Sequence, residues 1–186
     1  PEAAYPAFVK PCCESRSVGI SDESVVHGPA ELARRVRYIH ETFQQAALIE
    51  EYLPGQEYTV LMLGNGARQE FLPGLVTVDP ALYGKYRILR SDLRGVGVTK
   101  ISIPETQGAA ARELARQAAT ALKCHDHIRI DMRVDAGGQL KVIEVNGIPG
   151  LKPLKSWSPQ LYALYHPTSD PSEGYRRMLC QIAQSA

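Results

Sequence analysis

Apolar and polar side chains alternate most regularly between Ile128 and Asn146. Ile128, Ile130, Met132 and Val134 interleave with Arg129, Asp131 and Arg133, the period of two that a half-buried strand requires. Asp135-Ala136-Gly137-Gly138 follows as a turn, since glycine tolerates the positive φ of tight hairpin loops. A return strand then runs from Gln139 to Asn146. A two- or four-residue loop centred on Ala136-Gly137 pairs Val134 with Gln139 and Arg129 with Glu144. That register puts Arg129, Asp131, Glu144 and Asn146 on one side, together with Leu140 and Val142. A three-residue loop would break the arrangement, because a slip of one residue sends side chains to the opposite face.

Upstream, Ala7 to Lys10 reads as a short strand that Pro11 stops, and Cys12 to Ile20 as a small, hydroxyl-rich segment ending in apolar Val18-Gly19-Ile20. Pro29 to Gln45 predicts an amphipathic helix with Leu32, Val36, Ile39 and Phe43 inward and Arg34, Arg35 and Arg37 on other faces. Strands are expected at Ala47–Glu51 and Glu57–Leu63, joined through Leu53-Pro54-Gly55, with a further strand inside residues 68–78. Residues 79–97 show no regular period and carry Tyr83-Gly84-Lys85-Tyr86 with Arg87, Arg90 and Arg94. Long loops of that kind inside compact domains are usually functional or disordered, and this one suits a lid over an anionic ligand. Thr106 to Lys123 predicts an alanine-rich helix with Leu114, Ala118 and Leu122 inward. Two further helices start near Ser158 and Ser172, the last with Tyr175, Leu179 and Ile182 on one face.

The chain is long enough to bury a sizeable core as one domain or two small lobes. A formal net charge of +1 gives no sign of a nucleic-acid or membrane-surface partner, and no apolar run approaches a membrane span. The four cysteines include no C-x-x-C, which leaves reduced thiols in a cytoplasm as the simplest reading. The chain begins at Pro1 with a strand following almost at once, as a piece of a longer protein would.

Three groupings carry candidate chemistry. Asp131, Glu144 and Asn146 offer hard oxygen ligands of the kind Mg²⁺ takes beside substrate phosphates, although a polar hairpin face turned to water is the ordinary alternative. Lys10 at a strand end, followed by a flexible polar loop, is one way to hold nucleotide phosphates; a hairpin with a surface lysine is the other reading. Glu50, Glu51 and Glu57 flank a strand–turn–strand connection whose backbone could read an adenine edge, or they are surface glutamates. His125 and His127 around Asp126 read as neutral, hydrogen-bonded histidines rather than a metal cluster.

Taken in order, FVKP (8–11), SVGI (17–20), LIEEYLPGQEYTV (48–60), YGKY (83–86), C-x4-RID (124–131) and EVNGIPG (144–150) resemble the ATP-grasp superfamily. The nearest likeness is to the nucleotide-binding, C-terminal part of the D-alanine–D-alanine ligases. The resemblance implies an α+β fold in which two lobes with antiparallel sheets grip ATP. Residues 1–60 would form part of the smaller lobe and 61–186 the larger, with a lid at about 79–97 and the metal-binding hairpin at 128–146. It also implies a cytoplasmic ligase that joins a small-molecule carboxylate to an amine through an acylphosphate, with a homodimer allowed. Lys10 and Ser17 would bind phosphates, Glu50, Glu51 and Leu53 would hold adenine, Glu57 the ribose, and Lys85 the γ-phosphate. Asp131, Glu144 and Asn146 would bind two Mg²⁺, with Mn²⁺ as a substitute, while Arg129 and the Gly150 backbone steady the oxyanion.

The chain departs from the family pattern in three places. Ser15-Arg16-Ser17-Val18-Gly19 stands where the family has Gly-Ser-Ser-Val-Gly, so that Arg16 either assists phosphate binding or obstructs it. Lys155 occupies the position of a substrate-binding serine, which puts D-alanyl-D-alanine in doubt as the product; Lys152 and Lys155 are the candidate substrate residues. The amino-terminal substrate domain is absent, and with it an earlier ATP-contacting lysine. A nucleotide-binding module without catalysis is the rival reading, and a protein kinase is weaker because no H-R-D or D-F-G segment follows Lys10.

Overall fold

A computed structural model describes residues 4–93 and 97–185; Arg94, expected among the lid's basic residues, lies outside them. The described chain forms two compact units, one comprising residues to Pro54 together with Val78–Thr99, the other Gly55–Thr77 and the chain from Lys100 on. This division differs from a single boundary after residue 60, because residues 78–99 group with the first unit and residues 55–60 with the second, whose sheet the chain enters at Glu57. Among the described residues, no helix is long and apolar enough to cross a membrane.

The first unit is built on an antiparallel sheet of order β2-β1-β3, from β1 (Ala7–Pro11), β2 (Val25–Val26) and β3 (Ala47–Glu51). Helix α1 (Pro29–Phe43) begins on Pro29 and ends where Gln44 turns left-handed at φ 54°, two residues short of the expected end. Its Leu32, Val36, Ile39 and Phe43 pack on Ala7, Val9, Val26 and Ala47. Arg35 does not share the solvated face of Arg34 and Arg37. It is 4% exposed, and its guanidinium donates to the Gly19 carbonyl and, over 2.9 Å, to the Ser24 hydroxyl. Val18-Gly19-Ile20 forms no strand; β1 pairs with Val25–Val26 instead. Gly19 lies so close to Pro11 and Phe43 that a Cβ would come within 2.7 Å of Pro11 Cγ. Residues 79–93 hold two 3₁₀ turns, Pro80–Leu82 and Ser91–Leu93, and are pinned by buried Ile88, Leu89 and Leu93.

The second unit is a five-stranded antiparallel sheet of order β6-β5-β4-β7-β8. Its strands are β4 (Glu57–Leu63), β5 (Glu70–Val78), β6 (Thr99–Ser102), β7 (His127–Val134) and β8 (Leu140–Asn146). Helix α2 (Gly108–Ala121) covers one face, over Tyr58, Val60, Met62, Ile128, Ile130 and Met132. Its buried stripe is Ala111, Ala115 and Ala119, with Leu114 flanking and Leu122 60% exposed. The inward face is thus rotated by one residue from the expected Leu114, Ala118 and Leu122, because alanine lets the helix approach the sheet closely. On the opposite face α3 (Trp157–Tyr165) and α4 (Pro171–Ser185) bury Leu61 and Leu63 through Leu161, Tyr162 and Met178.

The β7–β8 register differs from the expected one. Near the turn Val134 pairs with Leu140 and Met132 with Val142, one residue out of the expected phase, so Leu140 and Val142 lie on the apolar side with Met132. A β-bulge then leaves Ile143 without a partner, and Asp131 pairs with Glu144 and Arg129 with Asn146. Without the extra residue Glu144 would face Ile130 and the core. The bulge restores the polar set to one face, so the shared face of Arg129, Asp131, Glu144 and Asn146 stands although the pairing that was to produce it does not.

The close α2–sheet approach makes a specific demand on residue size. Ala115→Leu is expected to destabilise the fold by about 1–3 kcal/mol through overpacking, read from urea unfolding; an unchanged midpoint would show that the helix can retreat from the sheet.

Candidate functional site

On the sheet face that α3 and α4 cover, the helices reach Leu61 and Leu63 on β4, while Glu57 and Thr59 continue the same side of that strand. Thr59 pairs with Asp131 and Glu57 with Arg133, so the polar hairpin residues adjoin them. Asp131, 2% exposed, is the centre of the group. Its Oδ1 accepts from the Thr59 hydroxyl at 2.7 Å and Arg129 Nε at 2.8 Å. Its Oδ2 accepts from Arg129 Nη2 at 2.7 Å and Asn146 Nδ2 at 3.1 Å. Arg129 also stacks over Trp157 of α3, its Cζ 4.9 Å from the ring centroid. Burial opposes the Arg129 charge, but Asp131 first, then Glu144 and Glu57, outweigh it and raise the pKa above the ordinary guanidinium value. Such a fork binds a carboxylate with fixed orientation, and removing either buried partner would strand the other.

Two carboxylates and an amide on one face have the hard-donor chemistry that Mg²⁺ takes. A carboxylate has about four lone-pair positions, and protein donors fill them on Asp131. A cation therefore reaches Asp131 only by displacing a donor, and Asn146, by turning its amide, can exchange an N–H donor for an oxygen ligand. Glu144 supplies none of those four bonds and is exposed. On this count the residues fit a divalent cation.

Thr59 was not singled out from the sequence. The signal is present: it is a hydroxyl two residues from Glu57 inside an otherwise apolar strand, in phase with the polar side. Trp157, just before the helix start expected near Ser158, was likewise not singled out. Beyond the hairpin, Gly150 lies against Ser156, whose Oγ would be 2.7 Å from an added Cβ, while Lys152 and Lys155 are exposed on the following turn.

The candidate nucleotide residues of the first unit are also placed. Lys10 and Glu50 emerge on the sheet face away from α1 and form an ion pair at 2.7 Å. Glu51 is exposed at the end of β3, and Leu53 is buried just beyond it. Ser17 is 8% exposed. It and Arg16 take φ values of 61° and 57°, a left-handed shape that glycine adopts freely and other residues adopt at modest cost. The Ser15–Gly19 loop thus reaches a glycine-like conformation with Arg16 in it. Lys85 is exposed, and contact with Tyr86 holds its ammonium above the ordinary lysine value.

A five-stranded antiparallel sheet whose last hairpin carries carboxylates and an amide on one face, accompanied by a small sheet with a lysine on its middle strand, is the α+β arrangement of the ATP-grasp fold. The structure of the D-alanine–D-alanine ligase from Bacillus anthracis complexed with ATP matches with a TM-score of 0.70. That match covers 97% of this chain and 52% of that one at 21% identity. The VanG D-Ala:D-Ser ligase from Enterococcus faecalis gives 0.69, covering 97% and 49% at 23% identity. The family model described as the D-ala D-ala ligase C-terminus matches residues 1–163, and the chain belongs to that family. A D-alanine–D-alanine ligase of Halorhodospira halophila is 33% identical over 148 residues, 79% of this chain and 46% of the relative. An uncharacterized protein of Sinorhizobium fredii, y4sG, is 33% identical over 153 residues, 79% of this chain and 44% of its own length. The chain spans about half the length of the curated relatives it matches.

His127, next to this site on β7, was expected to be neutral and hydrogen-bonded. Its Nε2 is buried without a hydrogen-bond partner among the described residues, and burial, helped by Arg129, lowers its pKa from 6.5 to about 4. Because the folded value is the lower one, the neutral ring's contribution is complete above pH 6.5 and is lost as the pH falls towards 4. His127→Phe is expected to flatten the loss of urea stability over that interval; parallel pH profiles for variant and wild type would show that His127 protonates without penalty.

Proposed function

We propose that this chain is the nucleotide-binding portion of an ATP- and Mg²⁺-dependent carboxylate–amine ligase. The first unit corresponds to the smaller ATP-grasp lobe and the second to the larger. The observation that carries the reading is the Asp131 cluster: a buried carboxylate oriented by Arg129, Thr59 and Asn146, with exposed Glu144 directly opposite, in a member of the ligase family. A cytoplasmic location, where ATP and Mg²⁺ are supplied together, follows from it.

In this reading the carboxylate of one substrate attacks the γ-phosphate of ATP and ADP leaves. The amine of a second substrate then attacks the acyl carbon, expelling phosphate and losing a proton as the amide forms. Lys10 and the Ser17 loop hold phosphate oxygens, the chain from Glu50 to Leu53 contacts adenine, Glu57 accepts from the ribose, and Lys85 meets the γ-phosphate. Asp131, Glu144 and Asn146 hold Mg²⁺, which when bound neutralises phosphate charge. Arg129, kept in place by Asp131 and Trp157, offers fixed positive charge where an oxyanion develops. The Gly150 backbone contributes beside it. The exposed Lys152 and Lys155 lie where substrate selection is expected, and two cations there favour a substrate with additional negative charge.

Two substitutions test the reading in the full-length protein. Glu144→Gln should lower Mg²⁺-dependent phosphate release by about a hundredfold or more, the scale seen when one fixed electrostatic group is removed, while leaving binding of adenine nucleotide in place; unchanged turnover would refute the metal role. Lys155→Ser should shift the preference among amino-acid and peptide substrates by about tenfold, about 1.4 kcal/mol, with ATP affinity unaltered. A change in ATP affinity alone would place Lys155 with the nucleotide instead.

A further inference from the structure

The turn after the Ser15–Gly19 loop contains a carboxylate that the family resemblance did not assign. Asp22 opens the 3₁₀ turn Asp22–Ser24. Its Oδ2 accepts the backbone N–H of Lys85 at 2.8 Å, and its Oδ1 that of Tyr86 at 3.4 Å. Gly84 makes this approach possible, since a Cβ there would sit 2.1 Å from Asp22 Oδ2. The far side of the same short segment is held as well. The Tyr86 hydroxyl is 2.6 Å from His27 Nε2, and its ring meets Tyr52 edge-on with centroids 5.6 Å apart. The turn carrying Asp22 is itself fixed, because buried Arg35 bonds both Ser24 and the Gly19 carbonyl. Asp22 thus joins the exit of one loop to the backbone of the lid, at the residue that presents the Lys85 ammonium.

We propose that Asp22 is a positioning residue for Lys85: it holds the lid backbone against the turn that follows the phosphate loop, so that Lys85 is presented from a fixed place. The proposal rests on the reading of Lys85 as a γ-phosphate contact. A carboxylate accepting two backbone N–H groups does this well, because the bonds are charge-assisted and cost no side-chain entropy on the lid side. Glu31 and Asp22 both raise the Lys85 pKa, after the larger effect of Tyr86, so the ammonium keeps its charge while its backbone is held.

In the full-length protein, Asp22→Ala should lower kcat by about tenfold or more, the loss expected from two such bonds, with KM for ATP within about twofold. Asp22→Asn keeps an acceptor for Lys85 N–H and should recover most of that loss, whereas Gly84→Ala, which expels the carboxylate sterically, should reproduce it. Asp22→Ala combined with Lys85→Ala should fall no further than Lys85→Ala alone. Multiplying effects, or an Asp22→Ala kcat within twofold of wild type, would overturn the proposal. Tryptic cleavage after Lys85, Arg87 and Arg90 reads the anchoring without turnover. It should be several times faster in Asp22→Ala and Gly84→Ala, and an unchanged rate would overturn the anchoring. Faster cleavage in a protein with no ATP turnover would retain the anchor and refute the ligase reading instead.

Discussion

A buried carboxylate with four protein donors is the constraint on which the second unit depends. Asp131 cannot stay charged at 2% exposure unless its oxygens are satisfied, and Arg129 cannot stay charged beside it without an opposite charge. The pair is therefore a requirement on four elements at once: β7 for both charges, β4 for Thr59, β8 for Asn146, and α3 for the Trp157 ring on which Arg129 rests. Polar demands of this kind tolerate little displacement. They add to the register that the buried apolar face already specifies, since a slip would also break these polar contacts.

Local pattern carried much of the fold. Ala47–Glu51 and Glu57–Leu63 form with the bounds their sequence suggests, because each is a short run rich in apolar residues between turn residues. What escaped prediction was decided by tertiary contacts. Arg35 reads as one of three arginines on a polar helix face, and the folded chain makes its burial favourable by bringing the Ser24 hydroxyl and the Gly19 and Val9 carbonyls to it; burial lowers its pKa, against the pull of Tyr38 and Glu23. The inward stripe of α2 is alanine because its distance from the sheet, which no helical period encodes, leaves no room for leucine.

The candidate site was legible to a similar depth. Residue types disclosed Asp131, Glu144, Asn146 and Arg129 as a set, yet their pairing depended on a bulge that period-two reading cannot foresee. Thr59 acts through one acceptor and Asp22 through two neighbouring backbone donors, and both lie distant in sequence from what they hold, at separations of 72 and, for Lys85, 63 residues. Such partners emerge only when the chain is folded. Lys10, Glu50 and Ser17 were recognisable as candidates through the resemblance of their motifs to the ATP-grasp family, although nothing in the residues announced that Lys10 would lie against Glu50 at 2.7 Å.

The unpaired Ile143 has an evolutionary corollary. It separates the hairpin into a distal half, where the loop dictates pairing, and a proximal half, where the polar set around Asp131 dictates it. A lineage that gained or lost one residue at Asp135–Gln139 could compensate by shedding or acquiring a bulge, while the ends that bear Asp131 and Glu144 stayed aligned. Tip length in such ribbons is then free to drift without inverting the face that bears the chemistry, so its variation among relatives would say little about whether the function persists.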